Sequence, residues 1–428
     1  MPARNREQIV AFQTKRLRSV VRSAYRRVPY YRRLFDHAGV RPEDIQSLED
    51  LSKISLTSRN DIQHLRPSEI CARGVAPESL LQRRTSGSTG MPLTIRRHWF
   101  EERLLLAYRI HSQYSWTELW KLRRATIKFT QATEKAYRGA RSLSERLVLP
   151  RTVIDWRLPK EEIVRRLQKI RPTRISGPPG ILSWLADELT DADRAVIHPE
   201  LVVTGGETLT AGMRKQIEKG FGVPVRDAYG SHEFVSIARE CLAGGAYHVC
   251  DESLIVEVLR DGKPVEAGQE GELVGTALNS YAMPFLRYRL GDWVRRGPDS
   301  CPCGSPYSTL LRIQGRVIDR FTLANGKVVH PYELANVLRD HELWLRRFQI
   351  IQEQRDRFRI RVVPYQQPTG QELQQVAAKI EARIGNGATV ELELVERLPP
   401  MESGKFYPYI SLERLNAWRQ GAVSTPQA

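Results

Sequence analysis

The segment Arg84-Thr85-Ser86-Gly87-Ser88-Thr89-Gly90-Met91-Pro92 crowds four hydroxyls and two glycines into one short loop. Glycine admits positive φ and lets backbone come close to a ligand, so consecutive N–H groups can converge on a phosphate while the hydroxyls add donors. The loop reads as an anion cradle. It lacks the Gly-Lys-Ser/Thr ending of the P-loop, so a P-loop fold is not indicated. Taken alone, the segment is also compatible with a solvated Ser/Gly turn.

Downstream of the loop, helix-like and strand-like stretches alternate. Lys160 to Ile170 has apolar residues at Ile163, Val164, Leu167 and Ile170, a helical spacing, and the run Arg174–Ser176 precedes a second helical stretch over Ile181–Leu189. Leu201–Val203 breaks into Thr204, Gly205 and Gly206 ahead of a helical segment around Met213–Lys219 and a run at Val223–Val225. Such alternation predicts a layered α/β body. Between Ser253 and Arg296 the texture turns to β, with Ile255–Leu259, the turn signal Asp261-Gly262, Gly271–Thr276 and a run closing at Trp293 and Val294. Beyond Gly315, strands at Phe348–Ile351, Phe358–Val363 and Val390–Val395 and a helix over Glu372–Ile384 predict a small α+β unit. A boundary is expected near Gly315–Arg320, dividing residues 1–315 from 316–428. Residues 1–80 read as a mostly helical lead-in, in which Ile9, Phe12, Leu17, Val20, Val21 and Tyr25 recur at helical spacing up to Pro29.

With 428 residues, 41% hydrophobic and 27% charged, the chain has the balance of a soluble protein of two or three domains. The charged N-terminus (Arg4, Arg6, Lys15, Arg16, Arg18) has no signal-peptide run, and no stretch is long and apolar enough to span a bilayer, so a cytoplasmic setting is expected. Five cysteines in so long a chain do not make a disulfide framework. The formal charge of +17 suits nucleic acid, a membrane surface or a polyanionic small molecule; a solvated basic surface is an equal alternative. There is no zinc-finger pair, RNA-recognition aromatic motif or basic zipper, so no nucleic-acid partner is expected.

The loop resembles the phosphate-gripping loop of the adenylate-forming enzymes, through Thr85, Ser86, Gly87, Ser88, Thr89 and Gly90, and further segments follow in that family's order. Thr204-Gly205-Gly206-Glu207 resembles the turn that contacts adenine. Asp227-Ala228-Tyr229-Gly230-Ser231-His232-Glu233 is similar to the Tyr-Gly-x-x-Glu segment, which implies that Tyr229 flanks adenine and Glu233 helps hold magnesium. Met283-Pro284-Phe285-Leu286-Arg287-Tyr288-Arg289-Leu290-Gly291-Asp292 resembles the motif of the phenylacetate–coenzyme A ligase branch, whose aspartate grips the ribose hydroxyls. Gly315-Arg316-Val317-Ile318-Asp319 looks like the hinge, with Arg316 reaching the nucleotide, and Glu402-Ser403-Gly404-Lys405 resembles the turn that delivers a mobile catalytic lysine. Val28-Pro29-Tyr30-Tyr31-Arg32 and Ile45-Gln46-Ser47-Leu48-Glu49-Asp50-Leu51 resemble the opening of that branch, including its capsule-biosynthesis relatives. Thr94 departs from the lysine of many larger ligases, and His232 stands where the branch commonly has serine.

The resemblance implies an α/β fold with a large N-terminal body and a small mobile α+β C-terminal domain. It also implies ATP-dependent activation of an aryl or acyl carboxylic acid as an acyl-adenylate, with magnesium, followed by transfer to the thiol of coenzyme A. The alternatives are a sugar, amine or carrier-protein acceptor, or a non-catalytic basic scaffold that binds nucleotide or nucleic acid. The N-terminal helix could serve a homodimer or pack within the chain. Cys241, His248, Cys301 and Cys303 offer three thiolates and one imidazole, a closed tetrahedral set suited to structural zinc, with Cys250 to spare; unliganded buried cysteines are the other reading.

Overall fold

The computed structural model describes residues 5–84, 93–113, 122–128, 151–316, 321–329, 344–385, 387–398 and 406–419, with 331, 334, 337 and 338. The chain forms two compact units, one of residues 1–114 and 228–315, the other of 115–227 and 316–428.

The first unit opens with the helix Arg6–Arg27, started by a reciprocal cap in which the Asn5 side chain accepts from the Gln8 N–H and the Gln8 side chain from the Asn5 N–H. Ile9, Gln13, Leu17, Val20, Val21 and Ala24 form its buried face. Pro29 imposes extended backbone on Val28 (φ −111°, ψ 111°), which ends this helix, and then serves as the first residue of the helix Pro29–His37. The buried face packs within the chain, in a core that includes Leu254, Ile255, Phe285 and Tyr288. Its polar member, Gln13, donates to the carbonyls of Asp251 and Leu254, so no buried amide N–H is left unsatisfied there.

That core lies against an antiparallel sheet. Leu254–Arg260 pairs with Glu270–Ala277 (Leu254 opposite Ala277), which pairs in turn with Tyr288–Arg296 (Glu270 opposite Arg295). Asp261 and Gly262 both have positive φ, +52° and +79°, the signature of a two-residue turn whose twist suits a hairpin. The turn returns the chain into the short strand Lys263–Pro264 rather than directly into Glu270–Ala277. Farther along the sheet, Thr309–Arg316 meets Tyr247–Val249, which pairs with Ala238–Glu240, and Ala238 lies opposite Tyr229.

In the second unit, four parallel strands stand in the spatial order Arg151–Asp155, Arg124–Lys128, Arg174–Gly177, Leu201–Gly205. Helices Lys160–Ile170, Pro179–Glu188 and Ala211–Phe221 alternate with them along the chain. The last two cross closely because residue 220 is glycine: a Cβ there would fall 2.5 Å from Ala186 Cβ and 2.7 Å from its carbonyl oxygen. The C-terminal residues add a four-stranded sheet in the order Thr389–Leu394, Arg357–Pro364, Leu345–Gln352, Tyr409–Ile410, backed by the helix Gly370–Ile384. Phe321, Ile350, Phe358, Ile360, Val376 and Ile380 give this part a core of its own. A second cluster, Met213, Val363, Leu398 and Phe406, joins it to the helix Ala211–Phe221. Residues 115–227 therefore group with 316–428, whereas the sequence texture grouped them with the rest of 1–315. Among the described residues, no helix is long and apolar enough to cross a membrane.

Candidate functional site

Tyr229 ends the strand Val225–Tyr229, and its carbonyl accepts the N–H of Ile237 at 2.9 Å, closing a tight turn over Gly230–Ser236. Residue 230 must be glycine there, because a Cβ would meet the Val235 carbonyl oxygen at 2.3 Å. Val235 itself sits at φ +65°, unusual for a β-branched residue and a sign that the turn is held by its surroundings. Glu233 is buried at the centre of this turn, and Asp292 is buried on the strand Tyr288–Arg296. The two segments meet: the Tyr229 hydroxyl donates to the Asp292 carboxylate, and the Tyr288 hydroxyl lies 3.5 Å from Glu233 Oε1. Phe234 is a core residue: its ring lies over Gly275 and packs edge-on against Phe285 and Tyr288. His232 is exposed.

Four charged residues hold these segments and were missed in the sequence. Arg97, 2% exposed, donates from Nη2 to the carbonyls of His232 (2.5 Å) and Glu233 (2.6 Å), and from Nη1 to Glu102 (3.3 Å). Glu102 also pairs with Arg83 at 2.7 Å, and neighbouring Glu101 accepts the N–H groups of Tyr281 and Ala282. Burial pulls the Arg97 guanidinium below its ordinary value and Glu102 opposes that shift. Both strands flanking the Ser/Gly loop are thus tied to the Glu233 backbone. Arg97→Met should destabilise the protein by about 3 kcal/mol, as expected when one partner of a buried ion pair is removed. A urea melt reads the loss, and an unmoved midpoint would remove Arg97 from this bracing role. The available signal was alternation: in Thr94–Arg97, Arg97 shares the inward face with Ile95.

The motif arginine, Arg287, is also structural. It clasps Glu257 through two nitrogens (3.1 and 2.9 Å) and donates to the carbonyls of Ile54 and Ser52. Within the second unit, Gly205 ends its strand and Gly206 turns the chain at φ +84°. Both oxygens of Glu207 accept main-chain N–H groups, from Phe406 (3.0 Å) and Gly180 (3.2 Å). Arg316 closes the strand Thr309–Arg316. Thr85, Ser86, Gly87, Ser88, Thr89, Gly90, Asp319 and Lys405 lie outside the described residues.

The ligating atoms of Cys241, His248, Cys301 and Cys303 all lie within 4.8 Å of one another, in the first unit. Cys241 leaves the strand Ala238–Glu240, His248 is on Tyr247–Val249, and the other two sit in the turn before Thr309–Arg316. A side chain at Gly244 would fall 2.7 Å from Cys301 Sγ, so glycine lets the two turns close together. His248 Nε2 faces Cys303 Sγ at 3.3 Å, and burial, then Arg239, lowers the imidazole below its usual value, keeping it neutral as a ligand must be. Burial alone would raise the Cys241 thiol, but donors from Gly244 and Ala243, with Cys303 and Cys301, bring it below the ordinary range. Cys250 stays outside the set, its sulfur 3.4 Å from Ser236 Oγ. Three sulfurs and one imidazole in this compass fit tetrahedral zinc.

A phenylacetate–coenzyme A ligase of Thermus thermophilus is 29% identical over 352 residues, covering 78% of this chain and 76% of the relative. One from Escherichia coli is 29% identical over 350 residues, covering 77% and 75%. The chain is a homologue of the phenylacetate–coenzyme A ligases. Residues 321–411 of this ligase homologue match the CapK C-terminal domain family. Its fold is that of the adenylate-forming coenzyme A ligases: a 2-hydroxyisobutyryl-CoA ligase in the postadenylation state, in complex with R3-HIB-AMP, superposes with a TM-score of 0.76 over 97% of this chain and 92% of the other, at 20% identity.

Proposed function

We propose that this phenylacetate–coenzyme A ligase homologue is an AMP-forming acid–thiol ligase. It activates an aryl or acyl carboxylic acid with ATP as an acyl-adenylate and passes the acyl group to coenzyme A. The observation that carries the reading is the meeting of Tyr229 and Asp292, 63 positions apart in sequence, beside Glu233. An aromatic ring for a base, a carboxylate oriented for a ribose diol and a second buried carboxylate are what a nucleotide triphosphate requires on one wall.

Glu233 fits a magnesium ion. It is buried, its carboxylate oxygen lies 3.5 Å from the Tyr288 hydroxyl, and carboxylate oxygen is the donor type magnesium takes. Magnesium bound there would offset phosphate charge. The substrate carboxylate attacks the α-phosphorus, the bond to the bridging oxygen of pyrophosphate breaks, and Thr85–Gly90 receives the departing pyrophosphate. Tyr229 orients Asp292 on the ribose, and Lys405 neutralises charge that grows on the α-phosphate. The catalytic work is positioning and electrostatics, so no Ser-His-Asp set is needed.

The test is pyrophosphate release with ATP, magnesium and a panel of carboxylic acids including phenylacetate, with mass spectrometry of the acyl-adenylate before coenzyme A is added. An adenylate that becomes a thioester on addition of coenzyme A supports the reading; no pyrophosphate with any acid overturns it. A sugar or amine acceptor is the alternative reading. An adenylate stable to coenzyme A but consumed by an amino sugar would select it.

A further inference from the structure

Glu207 belongs to the turn whose family resemblance implies adenine contact, yet its carboxylate is occupied by the protein's own backbone. The two donors come from different parts of the second unit. Gly180 is the second residue of the helix Pro179–Glu188, while Phe406 directly follows Lys405. A side chain at position 180 would fall 2.6 Å from Phe406 Cβ, so glycine permits the approach. Arg347 completes the junction: it donates to the Gly180 carbonyl at 3.3 Å and lies 4.2 Å from the centre of the Phe406 ring. Burial pushes this guanidinium down to about 10, with Glu207 and Asp187 acting the other way.

The hydrogen bonds around Phe406 fall into two classes. Gln349 to the Tyr407 carbonyl (2.9 Å) and Ile350 to the Pro408 carbonyl (2.9 Å) lie wholly within residues 316–428 and survive any movement of that part as a body. Glu207 to Phe406, Arg347 to Gly180, Arg346 to Asp187 (2.7 Å) and Gln216 to the Arg346 carbonyl (3.1 Å) all join it to residues 115–227. The second class concentrates charge at the residue next to Lys405.

We propose that Glu207 and Arg347 are positioning residues that hold Phe406, the residue after Lys405, during adenylate formation and release it for the second half-reaction. The proposal rests on the ligase reading. It predicts a split: weakening the junction slows adenylate formation and leaves thioester formation from a preformed acyl-adenylate unchanged or faster.

The experiment measures both half-reactions in Glu207→Gln and Arg347→Met, with hydrogen–deuterium exchange at the Phe406 and Gly180 amides. Adenylate formation should fall about tenfold, the worth of a charge-assisted hydrogen bond, with KM for ATP held, and both amides should exchange faster. Arg347→Met separates this role from nucleotide contact, because Glu207 is intact in it. Equal loss of both half-reactions, or unchanged exchange at Phe406 in Glu207→Gln, overturns the positioning role. Absence of pyrophosphate release from the unsubstituted protein overturns the ligase reading and the role with it, whereas release with an unsplit effect overturns the role alone.

Discussion

Replacing Lys405 with alanine is expected to lower acyl-adenylate formation on the order of a thousandfold, the upper range for one preorganised donor at a developing charge. The transition state for adenylation spreads negative charge over the α-phosphate as the carboxylate oxygen enters and pyrophosphate leaves. An ammonium delivered from the tail stabilises that charge more than it stabilises bound ATP, so the loss appears in kcat for this step. Attack of coenzyme A on a finished acyl-adenylate does not need the ammonium at the phosphate. Conversion of chemically prepared acyl-adenylate to thioester should therefore stay within about threefold, a difference under 1 kcal/mol. Rapid-quench measurement of each half-reaction decides it, and parallel loss in both would remove Lys405 from this role.

Cys301→Ser should release a structural zinc and lower the melting temperature by about 10 °C, in line with a loss of a few kcal/mol from a unit of this size. A zinc that organises a small peptide is worth roughly 10 kcal/mol of folding free energy. Here the first unit has its own apolar core, so the loss falls mainly on the strands that the cluster ties together. His248 lies opposite Thr309 on one side and Arg239 on the other, and the strand Ala238–Glu240 carries the pairing to Tyr229. Unlinking that corner should therefore also weaken ATP binding at Tyr229. Elemental analysis of protein purified without chelator should find about one zinc per chain, the occupancy of a closed four-ligand site. Cys250→Ser, outside the set, should keep it. Protein free of stoichiometric metal, or an unaltered melt in Cys301→Ser, would return these cysteines to plain packing.

Much of this architecture could be read locally. The helical spacing of Ile9, Leu17, Val20 and Val21, the stop at Pro29 and the Asp261-Gly262 turn are short-range chemistry, and each recurs in the structure at its expected place. The grouping of residues 115–227 with 316–428 was not legible, because it depends on Met213 meeting Val363, Leu398 and Phe406 across long stretches of chain. The same limit hid Arg97. A lone arginine reads as surface until the carbonyls of His232 and Glu233 are found beside it.

By itself, the order of residues determined which stretches form strands and helices, and which four side chains could hold a metal. Those properties depend on neighbours a few positions away, or on donor chemistry that any fold must respect. Tertiary structure alone decided that the motif residue Arg287 braces Glu257, that Phe234 fills the core over Gly275, and that Glu207 grips the backbone of Phe406. A side chain's type states what it can bind, but its partner is whichever group the folded chain places within about 3 Å, and hydrogen bonds fall off steeply beyond that reach.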